Sequence, residues 1–552
     1  MGKFNVKDTR AAAGRGPMKT KKGEPTLVTH EGGPGFAKKA KTELFLLAVS
    51  NVVGENTFYE AGADRDSRFK ALVHKVAVSD PAWMFGMIGW LRGEANMRSA
   101  ALVMAAEAAR ACTMASGRAV DASNTLTMPA RPTTRQIIGA ALQRADEPGE
   151  MLAYWTAHYG RKIPQPVKRG VADAVRKLYS EYSLLKYDTA SHGWRFADVL
   201  DLTHPKPATP AQGALFVHAL DRRHGREWDG HPAQGESLPM VAANYHFRQS
   251  IAHGNVALFT DPDLLKAAGM TWEDALSLAG NKIDKRKLWE AMIPSMGYMA
   301  LLRNLRNFDE AGVSDEVADQ VAQRLTDPAQ VARSRQLPFR FYSAYVEVPS
   351  DRWRHPLGKA LDVALVNLPK LPGRTLVLID TSGSMTGCTI SEKSKVTAAA
   401  AAAVLGIALA KSQGADVYGW ANFPYSYKLT RGASTLREVE GFLATTGQGG
   451  HGTDIPAAFK AYAGHDRVFL LSDMQTVGGH RSYYATDPVK LIPAHVPLYA
   501  YDLQGYRAAA LSTVAPNRHQ LGGYTDRTLQ MVPYLERGED TSWPWETAVD
   551  QG

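Results

Sequence analysis

The stretch Thr375-Leu-Val-Leu-Ile-Asp380-Thr-Ser-Gly-Ser-Met385 limits the fold more than any other in the chain. Its branched apolar run has the pattern of a parallel strand buried on both faces. The run ends in oxygen-bearing side chains at alternate positions, Asp380, Ser382 and Ser384, with Gly383 allowing a sharp turn. An Ala-rich helix is expected to follow, from Ser391 to Lys411. In open α/β sheets ligands lie beyond the carboxyl ends of the strands, where this motif falls. Carboxylate and hydroxyl oxygens are hard donors suited to Mg²⁺, Mn²⁺ or Ca²⁺ rather than zinc.

From Leu371 onward strand and helix patterns alternate, as in a doubly wound α/β sheet. Strands are expected at Thr375–Asp380, Ala415–Ala421, Val468–Asp473 and Val496–Asp502, with a short edge strand at Tyr425–Thr430. Helices are expected at Thr435–Thr445 and Ile455–Tyr462. Thr453-Asp454 follows the loop Gly447-Gln-Gly-Gly-His-Gly452, and Asp473 closes an apolar strand. The order Asp-x-Ser-x-Ser, Thr-Asp, strand-ending Asp resembles the metal-ion-dependent adhesion site of von Willebrand factor A domains. That resemblance implies a divalent cation, most simply Mg²⁺, held directly or through water by Asp380, Ser382, Ser384, Thr453 and Asp473. The same motif could be a strand-end Asp with hydroxyls capping a helix, which leaves Thr453 and Asp473 unexplained. The Gly-rich loop fits G-x-G-x-x-G but follows a helix rather than a strand, so it is not a dinucleotide fingerprint. A different function class, a metal-dependent phosphohydrolase or nuclease using Asp380 with His451 as base, has no second Asp after Asp380 and no partner to orient His451.

Charge divides the 552-residue chain. Residues 1–41 carry ten Lys/Arg against three Asp/Glu and few large apolar residues, as expected of a flexible basic tail. Residues 366–552 carry sixteen of each sign, so polyanion binding falls to the tail and the middle. Four units are expected: the tail (1–41), a helical region (42–365), the sheet domain (366–540) and a C-terminal tail (541–552). Two cysteines, Cys112 and Cys388, form no zinc or disulfide pattern, which fits a cytoplasmic protein. No apolar core follows the first basic residues, and the most apolar run, Thr397–Ala410, is too short to span a bilayer.

Residues 42–365 show apolar spacings of three and four, as in Arg68–Ser79, Pro81–Arg92, Met97–Met114, Arg135–Arg144, Gly149–His158 and Pro166–Ser180. Asp80-Pro81, Asp261-Pro262 and Asp327-Pro328 each pair an N-cap with a first-turn proline. Many helices without strands suggest an α-solenoid of the HEAT type. Three windows are basic: Arg161–Lys177, Lys282–Arg306 and Arg333–Lys359.

Arg161–Lys177, Leu184-Leu-Lys-Tyr187, His192-Gly-Trp194, Leu200-Asp-Leu-Thr-His-Pro-Lys-Pro207 and Trp289–Arg306 follow the order of elements in the Ro ribonucleoprotein family. The resemblance spans roughly Thr42–Arg537. It implies a ring of HEAT-like repeats (the TROVE module) joined to a von Willebrand A domain. It further implies a monomeric, noncatalytic RNA-binding protein, with small noncoding Y-like RNA on the ring's outer face and single-stranded ends of misfolded RNA in its hole. A role in RNA quality control and an exoribonuclease partner such as polynucleotide phosphorylase are also implied, without a membrane. By position, the RNA-facing residues are Lys168, Arg169, Lys186, His192, His204 and Lys206, with Thr203 between them and Arg303 and Arg306 further on. Where animal members carry Ser-His-Lys after Gly-Trp, this chain has Arg195-Phe196-Ala197, which points to a bacterial-type RNA partner.

Overall fold

The computed structural model describes residues 27–30, 34–50, 60–116, 132–189, 193–226, 236–334, 336, 338–365, 368–391, 394–476, 488–512, 517–523, 528–529, 532–536, 543 and 545–546. Between residues 40 and 364 the described elements are all helical. The expected N-caps hold. The Asp80 carboxylate accepts from Trp83 N, Asp261 from Asp263 N and Leu264 N, and Asp327 from Gln330 N. Each gives otherwise orphaned first-turn amides an acceptor.

The sheet has the order β5-β4-β3-β6-β7-β9. Its strands are β3 (Thr375–Asp380), β4 (Asp416–Trp420), β5 (Pro424–Tyr427), β6 (Arg467–Ser472), β7 (Leu498–Asp502) and β9 (Arg518–Gly522). All pairings are parallel except β4 with the edge strand β5. Val377, Ile379, Phe469 and Leu471 enter one core, and Leu376, Leu378, Val468 and Leu470 the other. This period-two division is that of a sheet covered on both faces. The Ala-rich helix begins later than expected, at Ala398, because the Thr397 side chain accepts from Ala400 N as its cap. Its Gly406 lies so close to Ile379 that a Cβ would clash. β9 carried no sequence signal; its burial comes from pairing with β7.

The sheet domain holds both ends of the helical array, so the helices form a ring closed through it. At the far end, Pro338–Glu347 packs on Ala398–Gln413, and Arg354–Ala364 on Thr435–Leu443. One apolar core runs without a break from Phe247 through these helices into the sheet. At the near end, helix Ala40–Ser50, buried from Leu44 to Ser50, packs on β9. Gly522 makes this possible, since a Cβ there would meet Leu46 Cδ2 and the Asp502 carbonyl.

Two expected boundaries need correction. The basic tail is not free as far as residue 41. β1 (Leu27–Val28) pairs with β2 (Pro34–Ala37), which pairs with β8 (Ala508–Ala509). Residues 1–26 lie outside the described residues. The Lys38 ammonium is buried on Asp502 Oδ2 at 2.8 Å and the Tyr506 carbonyl at 2.6 Å, the two side chains being 1% and 0% exposed. Asp502 Oδ1 accepts from Gln504 N and Gly505 N. With its hydrogen bonds complete, this ion pair offsets its own desolvation, whereas the sequence reading placed Lys38 in an exposed tail. At the other terminus, Trp543 and Trp545 insert beside Phe45 and Trp83 with ring centroids 5.1–6.3 Å apart. Tail residues 543 and 545 thus pack, half-buried, against the core of the first helices.

Replacing Lys38 by Ala leaves Asp502 buried without its counter-charge. Chemical denaturation is expected to show a loss of about 3 kcal/mol or more, against less than ~0.5 kcal/mol for the exposed Lys177→Ala.

Candidate RNA cavity and carboxylate notch

In the strand order, β3 and β6 are adjacent, and the chain leaves them in opposite directions. Asp380 and Asp473 end on either side of this topological switch, the usual ligand position in such sheets. The Asp380 carboxylate accepts from Ser382 N at 2.8 Å and from the Ser472 hydroxyl at 2.5 Å. Ser382 and Ser384 hydroxyls are 3.3 Å apart, and Ser384 hydrogen-bonds Asp473. Asp473 Oδ1 accepts from Gln475 N, whereas its Oδ2 is buried with no hydrogen-bond partner. Burial raises both carboxyls above the usual range, further raised in Asp473 by the charge of Asp380.

Thr453 reaches the same edge through its loop. Gly383 N donates to the His451 carbonyl, the Asn422 side chain accepts from His451 N and Gly452 N, and the Thr476 hydroxyl donates to the Thr453 carbonyl. The five expected residues are therefore gathered at one sheet edge, each nearly or fully buried. Two buried carboxylates, one with an orphaned oxygen, beside three hydroxyl side chains fit a hard divalent cation. Among the described residues no three His, Cys, Asp or Glu cluster as a metal site, so any ion here would rely on the hydroxyls. The His451 ring is exposed, while its main chain is held by Asn422 and Gly383.

The basic candidates fall into two groups. Lys168 and Arg169 lie on helix Gln165–Leu178, whose Val167, Gly170, Val171, Ala174 and Val175 are buried. Arg169, Arg176 and Lys177 are exposed along it. His204 and Lys206 are exposed after helix Phe196–Thr203, which packs on the first. Thr203 is turned back into its own helix, donating to the Val199 carbonyl. His192 lies outside the described residues. Phe196, at the position of the animal histidine, is core: 3% exposed and stacked on Tyr179 at 3.7 Å.

Lys186 and Arg303 meet elsewhere, in a cavity of about 760 Å³ assembled from stretches far apart in the chain. Its wall includes Tyr182, Tyr187, Trp272 and Tyr298. The Lys186 ammonium sits 5.6 Å from the Tyr182 ring centroid and 5.3 Å from that of Tyr187. Arg333 also lines the cavity, whereas Arg324 is committed to the Ile293 and Met296 carbonyls. Arg306 faces away from this group, toward Glu310 and Glu347. Sequence reading found the two cations but not the aromatic wall. Tyr182 and Tyr187 flank Lys186 in sequence, and that interleaving was the available signal.

Residues 265–357 match the TROVE domain. Telomerase protein component 1 of Mus musculus is 44% identical over 77 residues, 14% of this chain and 3% of that protein. The RNA-binding protein RO60 of Deinococcus radiodurans is 28% identical over 241 residues, 40% of this chain and 42% of that protein. The chain therefore spans less than half the length of these curated relatives. The crystal structure of the Deinococcus radiodurans RO (RSR) protein superposes with a TM-score of 0.56 at 18% identity, covering 91% of this chain and 100% of that one, which establishes the shared fold. The chain thus carries a TROVE segment, is similar in sequence to RO60 over part of its length, and shares the fold of the Deinococcus radiodurans RO protein.

Proposed function

We propose that the protein is a noncatalytic RNA-binding scaffold that takes single-stranded RNA into the large cavity. The observation that carries this is the wall itself, in which four aromatic rings line the same cavity as Lys186, Arg303 and Arg333. Rings stack on unpaired bases of any sequence while cations neutralise the phosphates between them. A duplex hides its base faces and gains nothing from such a wall. Further support comes from RO60, a relative named for RNA binding.

On the outer helices, Lys168, Arg169, His204 and Lys206 would bind the backbone of a small structured RNA of the Y-like class. Together the two surfaces suit noncoding-RNA quality control, in which a structured RNA docks outside and a loose end enters the cavity. The carboxylate notch would hold Mg²⁺ through Asp380, Ser382, Ser384, Thr453 and Asp473. The bound ion would supply a positive charge for a partner's carboxylate, such as one on an exoribonuclease.

Equilibrium binding of a short oligouridine tests the cavity. Tyr182 is 46% exposed, so Tyr182→Ala removes a stacking ring with little cost to the core; it should weaken binding roughly tenfold. Lys186→Ala should reduce the slope of log K against log salt by about 0.7. The double change Lys168→Ala, Arg169→Ala should leave oligouridine binding unchanged but weaken a structured RNA. No oligouridine binding at low salt would remove the proposal.

Calorimetry with Mg²⁺ alone tests the notch. Wild-type protein should gain thermal stability as the ion is added, by about 2.7 kcal/mol at a hundredfold excess over Kd. Asp473→Asn should abolish the gain and leave oligouridine affinity intact. A Mg²⁺ effect that survives this substitution would rule the notch out.

A further inference from the structure

A second cavity, of about 210 Å³, adjoins the first, and Tyr187 lines both. Its chemistry is the reverse of its neighbour's. The aromatic wall is Tyr179, Tyr187, Trp194 and Phe196, while the carboxylates of Asp146 and Glu150 form part of the lining. Arg195 also lines it but is committed to Asp188 at 2.7 Å. Arg98 and Arg144 bind Asp146, and Arg98 also binds Glu150. Burial pushes the Asp146 carboxyl up, but Arg144 and Arg98 together bring it below the usual range, and Arg98 takes Glu150 Oε1. Tyr179 is 4% exposed, and its hydroxyl is buried with no hydrogen-bond partner among the described residues. A buried phenol without a partner is costly unless a ligand or water completes it.

The size and the donor set restrict the occupant. An apolar cavity of about 150 Å³ accepts benzene, so this one has room for a single substituted ring system. Phosphate is disfavoured, since the available polar groups are carboxylates and a phenol. A planar ring bearing N–H donors is favoured, with stacking from the aromatic wall and acceptors for its edge. Tyr187 lines both cavities, and the Arg144 guanidinium, which lines the larger one, lies 5.5 Å from the Tyr187 ring centroid.

We propose that the smaller cavity is a nucleobase pocket: it receives one unstacked base of the strand held in the larger cavity and selects guanine over uracil. Guanine presents two adjacent N–H donors on its Watson–Crick edge, which a carboxylate accepts together. Uracil presents one N–H between two carbonyls, which the carboxylates repel. The proposal rests on the single-stranded RNA function above and adds sequence preference to a surface that stacking alone leaves sequence-tolerant.

The test is fluorescence anisotropy of the full-length protein with labelled oligouridine and with the same oligomer carrying one central guanosine. Wild-type protein is expected to bind the guanosine-containing strand about tenfold more tightly, the scale of a hydrogen-bonded pair with a charged acceptor. Ala153→Leu, which fills the cavity from its wall, and Glu150→Gln, which keeps shape and removes the charge, should each bring the two affinities together with oligouridine binding unchanged. Equal wild-type affinities overturn the pocket while leaving the single-strand function standing. So does a guanosine preference that both variants retain. If neither oligomer binds at low salt, the RNA function fails and the pocket with it.

Discussion

The seat of helix Ala40–Ser50 on β9 is the constraint on which the ring depends. A helical array buries apolar surface between successive layers but leaves its two ends open. Here both ends are covered by one sheet domain, the far end through a continuous apolar core and the near end through close backbone contact at Gly522. Polar contacts then fix the near end in place. Lys38 is buried on Asp502, and Arg65 and Arg68 reach the Gln504 and Gly505 carbonyls from helix Gly62–Ser79. The apolar contact supplies most of the stabilisation, whereas the ion pair, near neutral as a net term, makes any other seating costly. The Trp543 and Trp545 side chains cover the same first helices from the opposite terminus.

Closure through a sheet domain separates two kinds of electrostatic surface. At the sheet edge, three strand-ending carboxylates, Asp380, Asp473 and Asp502, come to neighbouring positions, and Lys38 neutralises the last. In the proposed metal site, the remaining pair would balance one divalent ion. The cations of the helical ring lie on its helices, around the large cavity and along Gln165–Leu178. An RNA strand and a carboxylate-bearing partner could thus occupy the protein together without competing for one charge.

Much of the sheet domain was legible in the sequence, since its signals are local. The run Thr375–Asp380 is the strand β3 residue for residue, and the three Asp-Pro pairs cap helices as expected. The grouping of Asp380, Ser382, Ser384, Thr453 and Asp473 was readable because each sits at or just after the end of an apolar strand, or in a Gly-rich loop. The misses were non-local. β1 and β2 are two and four residues long and owe their existence to pairing with Ala508–Ala509. Lys38 looked like any tail lysine until Asp502 supplied its partner. The residue corresponding to the animal histidine could be named in advance, but only its stacking on Tyr179 shows it to be core. Trp272 and Tyr298 carry no sign of the cavity they share with Tyr182, because only the packing of helices distant in sequence brings them together.

The central claim is that single-stranded RNA is held by the aromatic and cationic wall of the helical ring. Photocrosslinking of oligo(4-thiouridine) to the full-length protein, followed by peptide mapping, tests it most directly. Crosslinks should fall on Tyr182, Tyr187, Trp272 and Tyr298. Crosslinks confined to the sheet edge around Asp380 and Asp473, with none on the ring, would contradict it.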